Sequence, residues 1–450
     1  MATDDNMRTR PFKDVIRNFT PAWFAAIMGK SIFTLGALAM AIGNAFIVAI
    51  MLKQVAQKAA NEMLRIGTGS ISLLFHAFPY GNETQPFIIF TLIFFFLNLS
   101  LFILFCAITT ARYIMFPDIW GLMIRHPAQS LFTGTFPMGA CTLLNIAVSL
   151  ISEKYRLGGR TFLYAMWGLW WLDVAISILC CWGMVHIMET SQKHSLQSMT
   201  AVWLLPVVTL IVASSTGGVL SSALQEYDPG YALFTQVASV FLVSIGLSLA
   251  LMLLTIYIQR LIIIGVPQGV NVLSVFLPLG PTGQAGYSIL LAGQYFKEAL
   301  PLQHGGSAFM NDASTGNILY VICICGSFVL WALASMWMVF ALLAVCDELR
   351  KTRIPFKVNS WGLIFPNGVY ANLTIALGST FDSPFFRIWG AIYAVFTLLL
   401  WSFVAINTVQ LVYNRSIFEA PCLQELNLTE GSADRKECSS PHGVLTSNFQ

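Results

Sequence analysis

One acidic residue, Asp173, sits well inside a long apolar stretch, in the run Trp170-Trp171-Leu172-Asp173. An ionisable group at such depth is costly, and where it occurs it marks proton relays or solute paths. The same carboxyl group can also tie one helix to the next by a hydrogen bond. Beside two tryptophans we favour that structural role over proton linkage. His76 is a second proton-linked candidate, because it and His126 can titrate near neutral pH. Lone histidines at the ends of apolar runs more often act as polar caps. Cys323 and Cys325 form a C-x-C inside an apolar run, where cysteine behaves as a small hydrophobe, so no metal is assigned there. Gly29-Lys30-Ser31 ends no phosphate-binding loop, since Phe24 stands where that motif requires glycine. The apolar runs contain no Ser/His/Asp set, no H-E-x-x-H pair and no cluster of metal ligands. The expectation is therefore a protein that is not an enzyme and needs no cofactor.

The elements that carry these residues must live in lipid. Of 450 residues, 56% are hydrophobic and 10% charged, against about 25% charged in an ordinary soluble domain. The mean hydropathy is +0.71. Several apolar runs, such as 87–111, 318–345 and 388–412, reach the ~20 residues that cross a ~30 Å hydrocarbon layer. The net charge of +3 is spread over short loops, with no basic cluster to track phosphates, so nucleic acid is excluded as a partner. Seven of the nine cysteines lie in or beside apolar runs, and Cys422 and Cys438 fall in a polar tail, which gives no disulfide framework. Residues 1–18 are polar and lack a small-residue cleavage site.

Ten spans are expected: 19–29 continued by 68–78, then 87–111, 129–151, 162–188, 201–223, 231–258, 271–293, 318–346, 360–378 and 386–412. Arg and Lys concentrate in the alternate loops that would share a side with both termini. The positive-inside rule thus places the termini in the cytosol, with the loop at 153–160 dissenting. Asn82-Glu83-Thr84 is a glycosylation sequon in an outside loop.

The odd-numbered spans share a feature that the even ones lack. Each carries glycine and proline within or at the mouth of its apolar run, at Pro21, Pro137, Pro206, Pro278 and Pro366. Proline removes a backbone donor and kinks a helix. Backbone groups freed in this way are tolerated at membrane depth only where protein or a water-filled cavity receives them. Five such helices alternating with five proline-free ones rich in Phe, Leu and Trp predict an inner ring lining a pathway and an outer ring facing lipid. Small residues at the breaks would let the inner helices approach closely.

Several motifs, in order, resemble a known family: Asn18-Phe19-Thr20-Pro21-Ala22-Trp23-Phe24, Leu131-Phe132-Thr133-Gly134-Thr135-Phe136-Pro137-Met138-Gly139, Trp170-Trp171-Leu172-Asp173, Gly280-Pro281-Thr282-Gly283-Gln284 and Trp361-Gly362-Leu363-Ile364-Phe365-Pro366. They are similar to the fungal sulfite efflux pumps of the tellurite-resistance/C4-dicarboxylate transporter family. That family also holds yeast malate permease and the plant slow anion channels. The resemblance covers about residues 18–29 and 68–415. It implies an all-α membrane fold of ten helices, paired as five hairpins in quasi-fivefold order around a central anion pore. It also implies a plasma-membrane carrier exporting sulfite or bisulfite, with a malate-type dicarboxylate carrier as the alternative, and a homotrimer in the bilayer. A phenylalanine on the ninth span blocks the pore of channel members, and Phe365 matches it. Where the family's motif commonly reads Phe-Pro-Met-Gly, Asn367 replaces the methionine.

Lys and Arg are nearly absent from the spans, so an anion would be handled by helix-end dipoles, by amides at the Gly/Pro breaks and by neutral donors. Thr135, Asn145, Ser214, Ser215, Thr216, Gln284, Asn367 and Asn372 are the donor candidates, with Phe136 beside them as a pore-lining residue. A neutral polar constriction can pass a small oxyanion that a fixed cation would hold too tightly to release. A dicarboxylate, with two separated charges, calls for paired cationic or hydroxyl contacts.

Residues 30–67 break the pattern, separating Met28-Gly29 from Thr68-Gly69 by 38 residues that include the apolar run 32–52. If that run crossed the membrane, the basic N-terminus would fall on the wrong side. We read the segment as a retained intron. Gly29-Lys30-Ser31 can be encoded by a sequence containing GTAAGT, Ala60-Asn61 by GCTAAC and Ile66-Gly67 by ATAGGT; the segment's length keeps frame. The expected organisation is a cytoplasmic segment at 1–17, a transport domain at 18–415 holding the anomalous insert 30–67, and a cytoplasmic tail at 416–450.

Overall fold

The computed structural model describes residues 74, 77–81, 85–302, 308–352 and 354–413. Helices and turns make up these residues, with no strand among them. The principal helices, in order, are α1 (Gln85–Met115), α2 (Thr135–Ala147), α3 (Gly159–Thr190), α4 (Leu205–Gln225), α5 (Pro229–Ile264), α6 (Leu279–Ala299), α7 (Thr315–Lys351), α8 (Ile364–Thr380) and α9 (Pro384–Tyr413). Each coincides with one expected span, from the second to the last. Pro21, His76 and the segment 30–67 lie outside the described residues.

Among the described residues, seven helical stretches are long and apolar enough to cross a membrane. These are α1, α3, α5, α7, α9 and the stretches Ser130–Ser152 and Ala201–Gln225, which contain α2 and α4. The helices α6 and α8 fall short of that measure for a reason visible in their residues. The first turns of α6 hold Gly280, Pro281, Gly283, Gln284 and Gly286, and α8 is only 17 residues long.

Burial divides the helices into two sets, although the outer helices α5 and α9 also open on a proline, Pro229 and Pro384. The most apolar parts of Ser130–Ser152 and Ala201–Gln225 are 78% and 83% buried, while those of α1, α3, α5, α7 and α9 are 28–39% buried. Most residues of α6 and α8 are buried as well. Four helices therefore form an interior, in the order α2 against α4, α4 against α6 and α6 against α8. The long apolar helices pack outside them: α3 and α5 on α4, α7 on α6 and α9 on α8. The outer faces, with Leu172, Leu179, Phe241, Met252, Val329 and Leu399 exposed, are what hydrocarbon would cover.

Small residues make the close approaches. A Cβ on Gly217 of α4 would fall 2.0 Å from Ser239 Oγ of α5 and 2.5 Å from the Trp170 ring of α3. Only glycine fits between them, and Trp170 Nε1 then reaches Ala213 O at 2.8 Å. Gly158, at φ +78°, supplies the left-handed turn ahead of α3. Asp228 caps α5 by accepting from the N–H groups of Gly230 and Tyr231, each at 3.1 Å.

Candidate functional site

All four interior helices begin in the same way. A 3₁₀ stretch leads in (Ser130–Gly134, Ala201–Leu204, Gly269–Phe276 and Val358–Leu363), and the chain turns α-helical beside a proline. Pro137 is third in α2, Pro206 second in α4, Pro278 caps α6 and Pro366 is third in α8. In the first turn the N–H that proline lacks has no intrahelical partner to lose, so the residue costs little there. These four prolines open the α-helices instead of bending their middles, which moves the disturbed backbone from mid-span to the mouth.

The four mouths converge on one cavity of about 40 Å³. Phe132 just ahead of α2 and Thr135 at its start line it, with Val202 and Leu205 at the mouth of α4, Leu273, Ser274 and Leu277 ahead of α6, and Gly362 and Phe365 at the mouth of α8. No charged side chain is among its lining residues. A methyl group on Gly280 would sit 3.9 Å from the Phe365 ring, so the ring faces the bare backbone of α6 with room for one methyl group between them.

Beyond the cavity, α8 keeps one accessible face. Gly362, Phe365, Gly368, Asn372 and Ala376 are half-buried, while nearly all residues between them are buried. Steps of three and four residues lie on one side of a helix. A Cβ on Gly368 would meet no atom within 4 Å, so this face looks onto open space. On α6 a similar stripe runs through Tyr287, Leu291 and Gln294.

The structure sorts the candidate donors into two groups. Several are engaged in holding helices together or in bonds to their own backbone. Ser214 Oγ donates to Ser239 O on α5 and pairs with Ser288 Oγ on α6, each at 2.6 Å. Thr216 Oγ1 bonds to Val212 O at 3.0 Å, and Thr135 Oγ1 to Phe132 O at 2.7 Å. Asn367 is fully buried, donating to Leu363 O at 2.6 Å and accepting from Tyr393 Oη of α9 at 2.5 Å. Its amide therefore points into the α8–α9 contact, away from Phe365's cavity. Phe136 stacks on Phe102 of α1 at 5.6 Å, and Thr135 takes the cavity face in its place.

The second group is less committed. Gln284 Nε2 donates to Ser215 Oγ across the α4–α6 contact, and Ser215 Oγ bonds in turn to Val212 O at 2.9 Å. Asn145 Oδ1 is buried without a hydrogen-bond partner. Asn372 lies on the accessible stripe of α8. Asp173 of α3 is buried against α2, where Cys141 Sγ lies 2.8 Å from its Oδ2 and Ser177 Oγ 3.4 Å away. That is the geometry of a tether between adjacent helices. Among the described residues no group of His, Cys, Asp and Glu is arranged to hold a metal.

Sequence reasoning missed the apolar collar residues Leu205 and Leu277, although each directly precedes a span proline, as Phe365 does. It also missed Glu348 at the end of α7. Its Oε1 accepts from Gly269 N at 2.7 Å and from Thr352 Oγ1 at 3.0 Å, mooring the 3₁₀ stretch that walls the cavity.

Comparison with known proteins fits this arrangement. The voltage-dependent anion channel family matches residues 63–409. A sulfite efflux pump of Arthroderma benhamiae is 32% identical over 355 residues, covering 79% of this chain and 90% of that protein. A sulfite efflux pump of Trichophyton rubrum gives the same identity, 32%, over the same 355 residues. A malic acid transport protein of Schizosaccharomyces pombe is 21% identical over 344 residues, covering 75% of this chain and 74% of that one.

Proposed function

The chain belongs to the voltage-dependent anion channel family, and on that premise we propose that it exports sulfite or bisulfite across the plasma membrane, through a path between its buried helices. The observation that carries this reading is the 32% identity to a sulfite efflux pump along 90% of that pump's length. The neutral mouth supports it physically. A cavity walled by Thr135, Asn271, Ser274 and apolar side chains, with no fixed cation, can release a small oxyanion as readily as it admits one. Malate transport is the second reading, and the match at 21% identity favours it less.

In this reading the ten spans form five hairpins in quasi-fivefold order. Phe365 is the gate, facing Gly280, and the anion passes when its ring moves off the axis. Both termini are cytoplasmic, as the distribution of Arg and Lys supports, and the carrier works in the bilayer as a homotrimer. The transport domain is 18–415, flanked by cytoplasmic segments at 1–17 and 416–450. The insert 30–67 interrupts its first span as a retained intron.

Sulfite efflux and sulfite tolerance, measured in cells expressing the chain with and without residues 30–67, test the proposal. Export and tolerance in the form without the segment are expected. Malate uptake with unchanged sulfite tolerance would reverse the order of the two readings.

A further inference from the structure

Beyond the collar, α4 and α6 run side by side in one direction toward the opposite end of the protein. Leu291 of α6 packs on Gly218 of α4, where an added Cβ would fall 3.1 Å from the leucine side chain. Further along, Tyr295 Oη of α6 donates to Gln225 Oε1 of α4 at 2.9 Å. Between these two contacts lie Ser222, four residues beyond Gly218, and Gln294, three beyond Leu291. At 1.5 Å per residue, Ser222 stands about 25 Å along α4 from Leu205, and Gln294 about 22 Å along α6 from Leu279. The two side chains therefore share one level, at the end away from the collar.

The other contacts of these helices fix the direction in which the pair points. On α6, Gln284, Leu291 and Tyr295 face α4, while Gly283 and Gly286 face Tyr370 and Leu373 of α8. Gly293 packs on Cys323 of α7. Residues turn by about 100° each, which places Gln294 between the α4 and α8 sides and turns it away from α7. On α4, Ser221 bonds to Gln236 of α5 at 2.7 Å. Ser222 is turned from that contact, and it stands two turns beyond Ser215, which receives the Gln284 bond. Ser222 and Gln294 thus flank the seam between α4 and α6 on its interior side, away from the outer helices.

Both side chains are open. Ser214, Ser215 and Ser221 of α4 are fully buried and bonded, whereas Ser222 is exposed and bonds only to Gly218 O of its own helix, at 3.2 Å. Gln294 is half-buried, and its amide makes no hydrogen bond among the described residues. We infer that Gln294 and Ser222 form a second polar station on the anion path, where a small oxyanion is held at the far mouth before it leaves. This rests on the anion-export reading and adds the exit to it. An amide N–H and a hydroxyl both donate to an anionic oxygen, and neither carries a charge that would retain the ion.

The test is cysteine labelling of the full chain, with the form lacking 30–67 beside it, by a sulfonated, membrane-impermeant maleimide added outside and removed before flux is measured. Gln294→Cys and Ser222→Cys should each react above the parent, whose own cysteines set the background. The anionic adduct should then lower chloride and sulfite flux by about tenfold, the scale of like-charge repulsion across a few ångströms of polar medium. Gln294→Glu should lower flux to a similar degree without any reagent, and Gln294→Asn, which keeps the donor, should not. Failure of both cysteines to react, or full flux after they have reacted, overturns the station. Absence of sulfite flux from both unsubstituted forms, with chloride flux present and blocked by the same labelling, instead overturns the export reading and leaves the station serving another anion.

Discussion

Phe365 of α8 faces Gly280 of α6 across a gap that would hold one methyl group, since a Cβ on that glycine would reach the ring at 3.9 Å, an ordinary contact distance. The ring is half-buried and borders open space along its own helix, so it can move without disturbing the core. Replacing Phe365 by Ala should raise resting anion flux several-fold at unchanged surface amount. Gly280→Val should act in the opposite sense by wedging the ring. Flux indistinguishable from the parent in Phe365→Ala removes the gate assignment.

The bond between Tyr393 and Asn367 predicts a stability effect without a transport effect. Tyr393→Phe leaves a buried amide oxygen unsatisfied, at a cost of about 1–3 kcal/mol. The thermal midpoint in detergent should fall, while the sulfite-to-chloride flux ratio stays at the parent value. A changed ratio would mean that Asn367 faces the permeating ion after all.

The sequence made the membrane class and the division into interior and outer helices readable, because apolar length and the placement of small residues are properties of the chain itself. The open face of each interior helix was less accessible. Ser215 and Thr216 both bond to Val212 O, and Asn367 bonds to Leu363 O. Such short polar side chains can satisfy themselves on their own helix, so their presence does not say where they point. Thr135 and Phe136 show the same difficulty over one residue, since neighbours on a helix face about 100° apart. One turns to the cavity and the other to Phe102. The effect of the prolines was also hidden, because it depends on the 3₁₀ stretch that precedes each one.

Asp173 separates a tether from a proton relay. Asn in its place keeps an acceptor for Cys141 Sγ, now 2.8 Å from the carboxylate, but carries no proton to exchange. Sulfite flux through Asp173→Asn should therefore follow the parent's pH profile in shape. Asp173→Leu should lower thermal stability, because Ser177 and Cys141 then lose their shared partner. A flattened pH profile in the Asn variant would instead place Asp173 in a proton path.

Glu348 is tied to a segment that walls the cavity. It lies at the end of α7 and holds Gly269 N at 2.7 Å, where Gly269 adopts φ +62° to start the stretch Gly269–Phe276. Leu273 and Ser274 of that stretch, with Leu277 just beyond it, form the α6 wall of the cavity facing Phe365. Removing the mooring should let this wall fluctuate, because a hydrogen bond to a carboxylate contributes about 1.5–3 kcal/mol. Glu348→Ala should raise resting flux and lower the thermal midpoint together. Glu348→Gln keeps an acceptor for Gly269 and should show only a fraction of either change. If Ala and Gln behave alike and match the parent in flux, the wall does not depend on this bond, and the α6 mouth is held by its apolar packing alone.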